Sequence, residues 1–307
     1  MQLSVQSGQS DLRARDATDG PVNHIVVGID FTEVSLAAAQ WVGRHLARDA
    51  MLTLVHVIPR PPRPNVRVRS HRAADSESKL RRRVRLMSGA LRGLAGAIGR
   101  TGTRVEVRVG DPAVQLPAYA SLVDADLLVV GGNSAFHAAP HHETATTDRL
   151  LQQLTRPVLV ARNVQSPPQA VLVTLAGNAT SSVLAAGRMV AAPTDARVVT
   201  LRLADRESPG DASALMKPRI PVASEQARMI IDVAREVRAD VIVIARPTSP
   251  ADADDTVASA VARTAPCSVL VVPYRTEPRP RGSTTENVEP APSELSTVMS
   301  PPIARAS

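Results

Sequence analysis

The chain has 307 residues, enough for two compact domains or one large one, and a hydrophobic fraction of 44% is ample for a buried core. Aromatics are only 2%, so the core must be built from Val, Leu, Ile and Ala, the composition of strands buried on both faces of a parallel sheet. The formal charge of +7 is nearly all arginine, which either an arginine-biased genome or a basic surface for anionic partners explains. The lone cysteine, Cys267, excludes an intrachain disulfide and sits in an apolar run, where it reads as a small buried hydrophobe.

The polar first twenty residues lack the apolar centre of a secretory leader, and no apolar stretch reaches the roughly 18 residues that span a bilayer. The expectation is a cytoplasmic protein with no membrane insertion.

In chain order, Ile25–Ile29 is an aliphatic run ending at Asp30, followed by a short turn and a helical pattern from Ser35 to about Ala47 that Thr32 or Ser35 would cap. Leu52–Val57 reads as a buried strand. Pro59, Pro61, Pro62 and Pro64 then predict an extended loop to about Arg72. Leu80, Val84, Met87, Leu91, Leu94 and Ile98 recur at helical spacing and predict a long amphipathic helix. Arg104–Val109 is a short strand, and Gly110-Asp111-Pro112 opens a helix ending near Asp124. Leu127–Val130 is a buried strand closed by Gly131-Gly132. A polar loop, a helix from about Thr146 to Leu154 and a last strand, Pro157–Ala161, complete the unit.

This β-α-β alternation predicts right-handed crossovers and a doubly wound parallel sheet. After Ser166-Pro167-Pro168 the pattern restarts. Val171–Leu175 answers the first strand, Val198–Leu203 the second, Val241–Ile244 the fourth and Ala265–Pro273 the last. Only about twenty residues separate the second strand of this copy from a helix starting near Ala223, so a third strand is expected to be missing. The expected layout is 1–21 disordered, 22–163 a first α/β domain, 164–168 a linker, 169–275 a reduced second domain and 276–307 a disordered tail. The fold class is α/β, two doubly wound parallel-sheet domains of strand order 3-2-1-4-5, the second reduced.

The run Ile25–Asp30, the strand Leu54–Val57, Gly110-Asp111-Pro112 followed by Ala125–Gly131, and Arg156–Val160 resemble the universal stress protein family, in its tandem form. The resemblance covers roughly 22–163 and, more weakly, 169–274. It implies that the Asp ending the first strand contacts the adenosine part of ATP and that a phosphate loop follows the fourth strand. That loop has Gly, two residues, Gly, nine residues, then Gly and Ser or Thr. Bare glycine lets backbone N–H groups approach phosphate oxygens.

Here Gly131 fills the first position, Ser134 the second, Thr144 the third and Ala145 the last, with Thr146 and Thr147 following. The implied nucleotide site is therefore Asp30, Val57, Gly131, Gly132, Ser134, Thr144, Thr146 and Thr147, vestigial or weak. In the second copy Ala176 replaces the Asp, Ala245-Arg246-Pro247-Thr248 has no glycine, and Asp252, Asp254 and Asp255 would repel a triphosphate, so no site is expected there.

The function expected is a non-catalytic stress-response regulatory or binding protein without a cofactor. The alternatives are an ATP-binding switch or weak ATPase in the first copy, and a basic adaptor for nucleic acid or an acidic partner through residues 60–104, where thirteen Arg or Lys stand against two acids. His137, His141 and His142 cluster in the loop with Glu143 nearby, and read as a solvated polar loop rather than a metal site. No triad or nucleophile elbow appears. In the family the last strands pair between subunits, and here Pro157–Ala161 and Val269–Val272 are expected to pair within one chain, with a further homodimer left open.

Overall fold

The computed structural model describes residues 22–46, 49–59, 71–132, 143–176, 179–203, 222–247 and 256–274, with the backbone alone for 71–76, 143–145 and 222–223. The first half runs β1 (His24–Gly28), α1 (Glu33–His45), β2 (Met51–Ile58), α2 (His71–Ile98), β3 (Arg104–Val109), α3 (Pro112–Leu122), β4 (Leu127–Gly131), α4 (Glu143–Gln152) and β5 (Val158–Ala161). The second half runs β6 (Ala170–Leu175), α5 (Thr180–Ala191), β7 (Arg197–Arg202), α6 (Val222–Glu236), β8 (Val241–Pro247), α7 (Val257–Thr264) and β9 (Ser268–Tyr274).

The strands form one nine-stranded sheet in the order β3-β2-β1-β4-β5-β9-β8-β6-β7. The first five have the order 3-2-1-4-5, and every neighbouring pair within each half is parallel. The halves meet where β5 and β9 pair antiparallel, Leu159 opposite Leu270, with Val158 opposite Val271 and Val160 opposite Val269. Two strand edges are thereby covered. Both strands are aliphatic and buried because they lie mid-sheet with helices on each face.

One apolar layer packs α1, α2 and α5 on one face of the sheet, and a second packs α3, α4, α6 and α7 on the other. Local chemistry sets the helix starts. Thr32 caps α1 by accepting from Ser35 N–H, and Thr256 caps α7 by accepting from Ser259 N–H. Asp111 caps α3 ahead of Pro112, whose missing N–H costs nothing in the first turn. α2 begins at His71, about two and a half turns before the apolar spacing starts at Leu80.

The repeat is visible in a shared anchor. Asp126 Oδ2 accepts from the backbone N–H of Asn23 and His24, and Asp240 Oδ2 accepts from those of Gln169 and Ala170. Each carboxylate ties the start of one central strand to the start of its neighbour. The segment after β5 is held too: Trp41, the only tryptophan, donates its indole N–H to Ser166 O at 2.8 Å. Among the described residues no helix is long and apolar enough to cross a membrane.

Candidate nucleotide crevice

In an open doubly wound sheet, ligands bind beyond the carboxyl ends of the strands where the strand order reverses. Here that point lies between β1 and β4, since their crossovers leave in opposite directions. Asp30 follows β1 at this edge. Its Oδ1 accepts from the Thr32 N–H at 2.9 Å and the Thr32 hydroxyl at 2.6 Å. Burial pushes the Asp30 carboxyl up, but hydrogen bonds from Ser35 and Thr32 outweigh it and hold it below the usual value. The group is thus ionised, oriented and open to solvent. Thr32 and Ser35, read from sequence only as helix caps, also fix the acid. Between Asp30 and Thr32, Phe31 turns through a positive φ of 67° and lays its ring against His56, 5.0 Å between centroids. His56 in turn hydrogen-bonds Ile29 O through Nδ1 at 2.7 Å.

Gly131 ends β4 directly behind this turn. A Cβ there would stand 3.0 Å from Ser35 N and 3.2 Å from Ser35 Cα, so only glycine lets β4 and the start of α1 approach this closely. A Cβ on Gly132 would stand 2.5 Å from Val160 Cγ1 and 3.1 Å from Arg162 Nε. Val57 is buried on the other face of the sheet, in the layer with α3, so its side chain belongs to the core. Thr146 and Thr147 lie half-buried in the first turns of α4. The structure thus brings Asp30 and Gly131 together through Ser35. Ser134 and the His137, His141 and His142 cluster lie outside the described residues, as does the side chain of Thr144 in α4. Among the described residues no three potential metal ligands come together.

Strand register aligns the halves residue by residue. Val129 pairs with Leu159 as Val243 pairs with Leu270, so Gly131 corresponds to Ala245 and Gly132 to Arg246. Val27 pairs with Val129 as Val173 pairs with Val243, so Asp30 corresponds to Ala176. In the second half, then, neither the acid nor either glycine is present. Arg246 is only 2% exposed. Its Nη1 donates to the Ser259 hydroxyl at 3.1 Å, in the first turn of α7, and it feels the charge of Asp148 from α4 of the first half. Asp148 also lies 3.7 Å from Arg263. Burial pulls the Arg246 guanidinium down from its usual value, and the facing carboxylate opposes that.

A second buried arginine, Arg162, 6% exposed, follows β5. It lies against Gly132 and donates through Nη2 to Ala262 O in α7 at 2.5 Å, while its backbone exchanges hydrogen bonds with the Ser268 hydroxyl. Neither role was visible in sequence, where Arg246 counted only as a missing glycine. The register of the repeat is the signal that exposes it.

The fold is that of an α/β protein with a doubly wound, mostly parallel sheet. The universal stress protein family matches residues 21–162, so the first half of the chain is similar to that family. The fold extends further. A universal stress protein from Archaeoglobus fulgidus is 16% identical, with a TM-score of 0.56 over 82% of this chain and 96% of its own. A putative universal stress protein from Pseudomonas aeruginosa is 18% identical, with a TM-score of 0.51 over 84% of this chain and 95% of its own. Among curated proteins nothing matches the sequence.

Proposed function

We propose that the protein is a non-catalytic, cytoplasmic stress-response binding protein of the universal stress type, with a degenerate nucleotide site in its first half and none in its second. The observation that carries the reading is Arg246. Its buried guanidinium occupies the strand position that Gly132 holds in the first half, and it is already engaged by Ser259 and faced by Asp148. Ala245 and Arg246 put side chains where the first half has bare glycine, which leaves less room for the close backbone approach that a phosphate needs.

For the first half, Asp30, Gly131 and Gly132 preserve the start of a crevice. The loop beyond carries Ser134 and Thr144 in place of the glycines that would bare further donors. This supports weak nucleotide binding at most. The reading as an ATP-binding switch draws on the held Asp30 carboxylate. The reading as a basic adaptor draws on α2, whose Lys79, Arg81, Arg82, Arg83, Arg85 and Arg92 are exposed while Leu91 is buried.

Calorimetric titration of the full chain with ATP separates these. The proposed function predicts no saturable binding in the micromolar range. A micromolar site abolished by Asp30→Asn would favour the switch. Duplex binding that weakens steeply with salt, without ATP binding, would favour the adaptor.

A further inference from the structure

The sheet has two outer strands, β3 and β7, and they differ in how they meet solvent. In the first half β3 lies on the outer side of β2. β7 is the register counterpart of β2, because Gly28 pairs with Val55 as Thr174 pairs with Leu201. Among the described residues no strand takes the outer side of β7. The first half therefore demonstrates that the fold accommodates a strand in the place where, among the described residues, the second half has none.

The backbone groups facing that place can be named. Arg197 N–H donates to Gln169 O and Leu203 N–H to Leu175 O, so the odd-numbered residues of β7 bond inward to β6. In a parallel pair the alternate residues then direct N–H and C=O to the opposite side, here Val198, Thr200 and Arg202. The side chains differ as well. β3 alternates Arg104, Glu106 and Arg108 along its length, a charged pattern that discourages edge pairing. β7 presents Val198, Val199, Thr200 and Leu201 without interruption, bounded by Arg197 and Arg202.

We infer that the outer side of β7 is a docking edge for a second copy of this chain, paired antiparallel about Thr200. The sequence is self-complementary in that register. Thr200 stands opposite Thr200 of the second copy, Val199 opposite Leu201, and Val198 opposite Arg202. All three outward-facing residues fall in hydrogen-bonded positions, giving roughly six backbone hydrogen bonds. Arg197 falls opposite Leu203, so no arginine faces an arginine directly. The result is a sheet running through both copies, continuing the antiparallel joint that β5 and β9 already make within one chain. The contact is a single strand wide, below the size of a standard stable interface, so a reversible dimer in the micromolar range is expected.

The inference goes beyond the proposed function and is independent of nucleotide. Sedimentation equilibrium of the full chain tests it, with three variants. Thr200→Pro removes an outward N–H and leaves the inward ladder to β6 intact. Thr200→Lys keeps the N–H but sets like charges face to face at the two-fold axis. Val107→Pro makes the matching change on the β3 edge, since Gly110 N–H donates inward to Ile58 O and the odd residues of β3 face out.

The expected result is a wild-type dimer whose dissociation constant rises about tenfold or more in Thr200→Pro. Thr200→Lys should weaken it in low salt and recover in high salt, and Val107→Pro should leave it unchanged. A wild-type chain that stays monomeric overturns the inference, whether the amides of Val198, Thr200 and Arg202 exchange freely or are protected by another segment. A dimer that persists in both Thr200 variants, or is lost in Val107→Pro, overturns it as well.

Discussion

At the end of β4 the first half places Gly131 and Gly132, and at the same register the second half places Ala245 and Arg246. Asp30 at the end of β1 becomes Ala176 at the end of β6. The strands beneath these positions are nearly interchangeable: aliphatic, buried on both faces and anchored at their starts by Asp126 or Asp240. The scaffold and the crevice thus obey different constraints. Any well-packed aliphatic residues keep the sheet, whereas ligand access needs particular small residues and a particular acid at a few strand ends. Once the second half carries Arg246, its guanidinium uses the first turn of α7, through Ser259, and the charge of Asp148 from the other half. The position that carries Gly132 in one half carries an arginine at the joint between halves in the other.

The largest expected effect tests whether that joint makes the halves one unit. Leu270, fully buried opposite Leu159, is replaced by Ala. The expectation is a loss of about 2–5 kcal/mol in denaturant unfolding, felt by probes in both halves in a single transition. Two separate transitions, with only the second half weakened, would break the comparison as drawn.

Next comes the Arg246 pocket. Asp148→Ala removes the charge facing a buried guanidinium and should cost about 1–3 kcal/mol. Arg246→Met removes the buried charge itself and should change stability by less than about 1 kcal/mol, because the desolvation cost goes with it. A larger loss in Arg246→Met than in Asp148→Ala would show that the arginine is held for its packing, not compensated by Asp148.

The smallest effect concerns Asp30. Its folded value lies below its ordinary one, so its contribution is fully present above about pH 4 and is lost as pH falls through the folded value. Asp30→Asn should therefore lower stability by under about 1 kcal/mol at neutral pH, since the group is exposed, and the difference should vanish in stronger acid. A difference that grows with acidity would reverse the assigned sign.

Much of the scaffold could be read from sequence. Most of the strands are aliphatic runs bounded by turn residues, with β3 the charged exception, a second set of strands follows Pro168, and Pro157–Ala161 and Val269–Val272 were expected to pair and do. What sequence could not carry is partner identity across long separations. Arg162 donates to Ala262, one hundred residues away, and nothing near either residue in the chain signals it. Arg246 read from sequence only as a missing glycine, and its burial against Ser259 needed the structure. The start of α2 at His71 falls close to the expected end of the loop near Arg72, although its first turns lack apolar spacing. The candidate site was legible in part. Asp30 and Gly131 come close to one another through Ser35, the Val57 side chain packs in the layer with α3, and Thr32 and Ser35 were recognised as caps but not as the groups that hold the acid.

Hydrogen exchange of the full chain, with and without saturating ATP, tests the contrast between the halves most directly. The account predicts no nucleotide-dependent protection at the end of β8 or the start of α7 at any ATP concentration, with any change confined to the turn after β1 and the end of β4. Protection around Ala245, Arg246 and Ser259 would show that nucleotide reaches this strand end in spite of the arginine, and would contradict the account.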